Sequence, residues 1–278
     1  DEKGVYRRGG RYLLFIAYLT RQLYQKPCYI INHTVDPQNN TIWKIIRTVY
    51  PMMTGIYVRE QMSGQLLQQC GVKFSKCVPD ALWSHNFEQD SYVRKPKALK
   101  KFDERKPYIC IGDSSGMYSA YGKTKWNLVE VYTVLIQRLK KIYPRIIFVD
   151  GFGRGNADIN RVVKKNGIPA VHIENCNYHE LYFVLKNAKI FISGRWHTSI
   201  ISLLAHTPIL LWGADSHKTE ALYKEIGYKY DFFPLETLPQ NIDRIVEESK
   251  KICESKHNLV WEKVEELKKR AELNVDML

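Results

Sequence analysis

No stretch of this 278-residue sequence pairs cysteines as C-x-x-C, and its six cysteines, at 28, 70, 77, 110, 176 and 253, are scattered. That spacing excludes the usual zinc frameworks and a dense disulfide scaffold, and it fits reduced thiols in a cytoplasmic setting. Long apolar runs are also missing. "YLLFIAYL" (12–19) is among the longest, and it falls well short of the roughly 20 residues a membrane-spanning helix needs. No signal peptide opens the chain, which begins at Asp1 rather than Met, so the sequence reads as a soluble protein or a trimmed piece of one. Low-complexity tracts and close internal repeats are absent. Two N-x-[S/T] triplets, "NHT" at 32 and "NNT" at 39, carry little weight because such short motifs arise often by chance.

Acidic residues are in short supply, 29 against 42 basic ones, for a formal net charge of +13. This balance favours anionic substrates, polyanions or an anionic membrane face, which would make the protein peripheral to a membrane. The densest cluster, "RKPKALKKFDERK" (94–106), is flanked by Pro107 and contains Pro96. It lacks the interleaved aromatics that stack bases, so nucleic acid is not the expected partner. A solvated basic linker over 94–107 is the expected reading.

On either side of that linker, strand-like and helix-like segments alternate. Before it come the helical "GRYLLFIAYLTRQLYQK", the strand-like "CYIIN" (28–32), a helix ending near Pro51, the strand "GIYVRE" (55–60) and a short helix stopped at Gly71. After it, strands at 108–113, 145–151, 170–174, 189–194 and 208–213 alternate with helices, and two helices over about 239–254 and 258–273 finish the chain. With 45% hydrophobic residues the chain can fill two ordinary cores. The alternation predicts an α/β fold with parallel sheets covered on both faces, in two Rossmann-like halves facing a cleft. The expected domains are 1–93, incomplete at its N-terminus, and 108–278, which carries the terminal helices.

Ligands of open α/β sheets bind beyond the carboxyl ends of the strands. In the second half those ends carry Asp113, the "DGFGRG" turn (150–155), Glu174, Arg195 with His197, and Asp215 with Lys218. The turn is glycine-rich but too short a fingerprint to stand as a phosphate loop. In "ISGRWHTSIISLLAHTPILLWGADSHK" (192–218) a helix starting near Arg195–His197 continues as "IISLLA", apolar all round and therefore buried. Its amino terminus then points N–H groups and partial positive charge at the site. An arginine there can grip a carboxylate or phosphate through two parallel bonds, and a histidine can move a proton near neutral pH. His206, near the end of that helix, reads as a capping or packing residue. His172, His179 and His217 share no metal-ligand spacing, so no protein-bound metal is expected.

Three segments in order resemble the polysaccharide pyruvyl transferases. The first is "SGRWHTSIISLLAHTPILLWGADSHK", similar to that family's strand, Arg-x-His, apolar helix and Lys-containing loop, with Trp196 where the family has Leu, Tyr or Phe. The second is "GIYVREQMSGQLLQQCGV" (55–72), and the third is "VPDALW" (78–83). The family's glycine- and Asn-containing amino-terminal strand and loop have no counterpart. The resemblance implies a two-Rossmann-domain, GT-B-like architecture and transfer of a pyruvyl group from phosphoenolpyruvate to a glycan or lipid-linked saccharide as a ketal, with no cofactor. It implies His197 as general acid or base, Arg195 and Arg59 as anion clamps, and Lys218 neutralising the phosphate. Asp80 and Glu174 would hold the acceptor hydroxyls. Ser63 reads as a cap or turn residue of the helix that follows it. Two alternatives stay open: a glycosyltransferase of the same architecture using a nucleotide-sugar donor, and a non-catalytic module for polyanions or membrane surfaces.

Overall fold

The computed structural model describes residues 8–37, 40–117, 126–150, 157–256 and 258–274. The chain divides into two compact units, one made of residues 1–84 with 265–278 and the other of residues 85–264. Residues 151–155 of the glycine-rich turn lie outside the described residues.

The first unit holds helices α1 (Arg8–Tyr24), α2 (Asn40–Val49) and α3 (Gln61–Gln69). Its strands β1 (Tyr29–His33), β2 (Gly55–Val58) and β3 (Lys76–Cys77) form a parallel sheet in the order β1-β2-β3. Ile42 and Ile46, one turn apart on α2, bury one face of that helix against Tyr50, Ile56, Val58 and Leu67. α3 stops at Cys70, and Gly71 takes φ 77°, a left-handed conformation glycine adopts without strain.

The second unit holds the larger sheet. Its strands are β4 (Ile109–Ser114), β5 (Ile146–Asp150), β6 (Ala170–His172), β7 (Phe191–Gly194) and β8 (Ile209–Leu211). All run parallel in the order β6-β5-β4-β7-β8. Every residue of β4, β5, β7 and β8 is buried, as near-continuous apolar runs covered on both faces require. The covering helices are α4 (Leu128–Lys140), α5 (Ala157–Lys165), α6 (Tyr178–Lys186), α7 (Trp196–Leu204), α8 (Lys218–Glu225) and α9 (Ile242–Glu254). Asn127 caps α4 by accepting from the Val129 and Glu130 N–H groups, and Asn177 with Glu180 forms a capping box on α6. The final helix, α10 (Asn258–Ala271), carries the chain back to the first unit, whose second segment starts at 265. Asn274 there donates to the Pro79 carbonyl at 2.8 Å.

The boundary falls at Ser84–His85, not in the basic stretch 94–107, which is folded onto the second unit. Leu99 is buried, Lys95 reaches Glu104 at 2.5 Å and the Phe102 carbonyl, and the Arg145 guanidinium lies 4.2 Å over the Phe102 ring. Lys97, Lys100, Lys101 and Lys106 are exposed, while Lys95 and the buried Pro96 and Leu99 anchor the stretch. Among the described residues, no helix is long and apolar enough to cross a membrane.

Candidate active site

The second sheet reverses its winding at β4. From there the chain steps outward through β5 to β6, then returns to build β7 and β8 on the other side. At such a switch point the loops leaving two neighbouring strands turn opposite ways and leave a crevice at their carboxyl ends. The two strands concerned are β4, ending in Asp113–Ser114, and β7, ending in Gly194 before Arg195. Ser114 pairs in register with Gly194, and the strands approach so closely there that a β-carbon on Gly194 would lie 2.6 Å from Ser114 Cβ and Oγ.

Arg195 and Asp113 meet across this junction. Arg195 Nε donates to Asp113 Oδ1 at 2.5 Å and a terminal nitrogen donates to Oδ2 at 2.6 Å, a parallel two-bond pair. Asp113 is fully buried and Arg195 is 8% exposed. Ser193 reinforces the pair: its Oγ accepts the Arg195 N–H at 3.2 Å and donates to the Asp113 carbonyl at 2.9 Å. Ser199 Oγ, one helical turn on, donates to the Arg195 carbonyl at 2.5 Å.

Arg195 is the residue from which α7 starts, with extended backbone at φ −100°, ψ 121°. Eight of the nine residues of α7 are buried, and the exception is His197, on its first turn and exposed. The sheet and its neighbouring helices absorb the apolar side chains, and the imidazole is the group handed to solvent. The helix ends at a left-handed residue, His206 (φ 55°), whose following N–H, that of Thr207, returns to the Ser202 carbonyl at 2.9 Å. The His206 ring rests 5.2 Å from that of Trp261, the packing role expected of it.

The strand ends on either side extend this row. Beyond β8, Lys218 Nζ sits 2.9 Å from Asp215 Oδ1, with both side chains largely buried. That loop is held to the one after β4 by Ser114, which donates to the Gly213 carbonyl at 2.7 Å, and it packs closely on Gly116, where a β-carbon would lie 3.1 Å from Ala214 backbone. On the other side, buried Asp150 at the end of β5 bonds His172 Nδ1, at the end of β6, at 2.8 Å. Read along the carboxyl edge, the order is His172, Asp150, Asp113, Arg195 and then Asp215 with Lys218.

The first unit carries a second buried ionic group, at the carboxyl end of β2. Arg59 Nε donates to Thr34 Oγ1 at 2.6 Å and lies 3.5 Å from Glu60 Oε2, while Nη1 donates to Asp80 Oδ2 at 2.8 Å. Asp80 also accepts the Leu82 N–H at 3.0 Å and so shapes the turn Ala81–Ser84. Thr34 bonds Glu60 at 3.2 Å. Ser63 Oγ bonds Glu60 and accepts the Val35 N–H at 2.6 Å, so it ties α3 to the loop after β1 rather than capping a helix. Nearby, His33 Nε2 and the Tyr50 hydroxyl are 2.6 Å apart. Burial, with the Arg59 cation acting the same way, pulls His33 down to about 3.

A family model described as polysaccharide pyruvyl transferase matches residues 6–211. The chain belongs to that family. The match takes in Arg59, Asp80, Asp113, Glu174, Arg195 and His197, while Lys218 lies just past it. No curated protein matches the chain. Several solved structures share its fold. UDP-GlcNAc 2-epimerase from Methanocaldococcus jannaschii, in complex with UDP-GlcNAc and UDP, is 13% identical with a TM-score of 0.59, over 96% of this chain and 79% of that one. The Neisseria meningitidis UDP-GlcNAc 2-epimerase bound to UDP-GlcNAc is 12% identical with a TM-score of 0.61, over 95% and 72%. The UDP-forming α,α-trehalose-phosphate synthase of Burkholderia vietnamiensis is 11% identical with a TM-score of 0.57, over 95% and 69%. The fold of this pyruvyl transferase family member is thus GT-B-like, α/β with parallel sheets in two groups.

The residues expected to act divide into two kinds. Arg59, Asp80, Arg195 and Lys218 all have oppositely charged partners within their own unit. The guanidiniums expected to clamp a donor anion already hold carboxylates of the chain, because a buried cation needs its counter-charge built in. His197 and Glu174 are exposed. Glu174 sits in the turn Ile173–Asn175 after β6, three strands from β7. At about 4.8 Å per strand that is roughly 14 Å from the β7 end. The turn borders an open hollow of about 570 Å³ lined by Asn175, Asn177, Tyr178 and Glu180. Pairing of Asp113 with Arg195, 82 residues apart, carries no local sequence signal; only the strand-end rule brings both residues forward.

Proposed function

We propose that this chain transfers the pyruvyl group of phosphoenolpyruvate to two hydroxyls of a saccharide, forming a cyclic ketal and releasing phosphate. Family membership supports the reaction class, and one observation carries the assignment to a site. A histidine is the exposed residue of a helix otherwise buried, two residues beyond Arg195, whose ion pair with Asp113 is locked across the switch point of the sheet.

The chemistry asks for a proton at the methylene carbon of the enol and for removal of protons from two hydroxyls. Protonation makes the neighbouring carbon electrophilic. One sugar oxygen bonds to it, the carbon–oxygen bond to phosphate breaks, and the second sugar oxygen closes the ketal. Of the two hydroxyl protons, one balances the proton placed on the methyl carbon and the other leaves with phosphate. His197 is the group assigned to give and take these protons. The positive end of α7 and the Lys218 ammonium favour the donor's carboxylate and phosphate.

Arg195 works in this reading through position. Asp113 holds it where α7 begins, and it contacts the donor directly only by exchanging that carboxylate for one of the substrate's. Arg59, gripped by Asp80 and Glu60, is assigned the same status in the first unit. Glu174 is assigned to an acceptor hydroxyl at the far side of an extended saccharide, and Asp80 to keeping Arg59 in place. The test is incubation with phosphoenolpyruvate and β-linked galactose, mannose and N-acetylmannosamine acceptors. Phosphate release together with a product heavier by one pyruvate ketal supports the proposal. Release of nucleoside diphosphate from a UDP-sugar, with phosphoenolpyruvate untouched, replaces it with glycosyl transfer.

A further inference from the structure

The second unit begins with "HNFEQD" (85–90). Asn86 accepts from the Glu88 and Gln89 N–H groups at 3.1 and 3.4 Å and so caps a single 3-10 turn, Phe87–Gln89. The Asp90 N–H closes that turn on the Phe87 carbonyl. One tight turn thereby brings the side chains of His85 and Asp90 together, although they are five residues apart in sequence. Phe87 is buried, stacked 4.8 Å from Tyr182 of α6, and the His85 ring stands edge-on to Phe87 at 4.2 Å. This packing fixes the turn against α6, where His179 lies in the first helical turn.

The result is a cluster of three ligand-type side chains. His179 Nε2 is 2.5 Å and His85 Nε2 is 3.6 Å from the same oxygen, Asp90 Oδ2, and the three ligand atoms all lie within 4.8 Å of one another. The other carboxylate oxygen, Oδ1, accepts the Tyr92 N–H at 2.9 Å, which orients the group and leaves Oδ2 turned toward the rings. Neighbouring charges are balanced elsewhere: Arg94 pairs with Glu180 at 3.1 Å, and Lys186 approaches Glu88 at 3.9 Å.

We propose that His85, Asp90 and His179 form a binding site for a divalent transition-metal ion of the zinc type, which pins the entry segment of the second unit to α6. Two imidazoles and one carboxylate are the donor set borderline cations prefer over magnesium or calcium. Metal–ligand bonds of about 2.0–2.2 Å in a tetrahedral site put ligand atoms roughly 3.3 Å apart. The present separations, 2.5 Å and 3.6 Å from Asp90 Oδ2, bracket that value, and two of the three ligands flank one short turn. Solvent supplies the fourth position. The site is separate from His197, and the sequence hides it because Asp90 and His179 stand 89 positions apart.

The test uses the full chain, stripped of metal and titrated with Co²⁺ and Zn²⁺. The wild type is expected to bind one equivalent more than the H85A/H179A double variant. Its Co²⁺ visible bands should show tetrahedral coordination, without the intense near-ultraviolet absorption of thiolate ligands. Saturating Zn²⁺ should raise the thermal midpoint of the wild type by several degrees and leave the double variant unmoved. His85 is exposed, so H85A folds even where the double variant does not, and it should weaken Co²⁺ binding at least about tenfold. Equal stoichiometry and equal thermal shift in wild type and variants, or thiolate absorption in place of nitrogen–oxygen coordination, would overturn the assignment.

Discussion

Replacing Asp113 by alanine strips a buried guanidinium of both its strongest hydrogen bonds. The guanidinium has little access to water, since the residue is 8% exposed and its backbone is fixed by Ser199 and Ser193. Removing one partner of such a pair costs about 3–5 kcal/mol, most of it the penalty of an uncompensated buried charge. With a urea slope of about 2 kcal/mol per M, the transition of the second unit should move down by roughly 2 M. Replacing both residues by apolar ones of similar volume, as D113L/R195M, should recover most of that loss, since the desolvation cost of both ions disappears. It should not recover turnover. Equilibrium unfolding followed by far-ultraviolet circular dichroism reads the stability, and phosphate release from phosphoenolpyruvate reads the activity. A D113A protein as stable as wild type, with only its KM raised, would refute the reasoning. Arg195 would then be a substrate clamp that borrows Asp113 only when empty.

His197→Gln should lower phosphate release by about 10²–10⁴-fold, the usual share of a general acid–base group, with the unfolding midpoint unchanged because the ring is exposed. Gly194→Ala should destabilise the second unit by about 1–3 kcal/mol, since its β-carbon would meet Ser114 at 2.6 Å and Trp212 Cδ1 at 2.7 Å across the β4–β7 contact; urea unfolding measures it. His33, with an ordinary value of 6.5 lowered to about 3, stays neutral in the folded state while the unfolded chain takes a proton. Its contribution is therefore complete above pH 6.5 and is lost as pH falls toward 3, at up to about 1.4 kcal/mol per pH unit. His33→Gln should flatten that part of the stability profile, and the His33 ring resonance should not titrate above pH 4 in an NMR titration.

Much of the architecture is legible in the sequence because parallel strands buried on both faces leave unbroken apolar runs. "YICIG", "RIIFV" and "KIFIS" overlap β4, β5 and β7, and the helices between them show the 3.6-residue spacing of a one-sided face. The strand-end rule then names Asp113, Arg195, Asp215 and Lys218 without any fold in hand. What it does not supply is pairing. Whether a strand-end arginine faces substrate or a carboxylate depends on sheet order, and the crossing from β6 back to β7 is not written in any local run. Charge density misleads for a related reason: the lysines of 94–106 suggest a solvated linker, but Leu99, Phe102 and Lys95 decide its path by what they touch. The two-residue β3, Lys76–Cys77, is too short to show any period.

The same reasoning explains why His197 stands apart from the other expected residues. On a helix with a polar face, an exposed histidine carries no information, since many neighbours are exposed with it. α7 has no polar face: its serines and threonine are buried along with its isoleucines and leucines. An imidazole at that place is the one exposed side chain of an otherwise buried helix. The neighbouring ion pair argues in the same direction. Arg195 and Asp113, bonded twice and braced by two serines, fix the first turn of α7 more firmly than helix formation alone requires. Rigid placement of one exposed proton-handling group at the carboxyl edge of a parallel sheet is what the proposed proton transfer to carbon would demand.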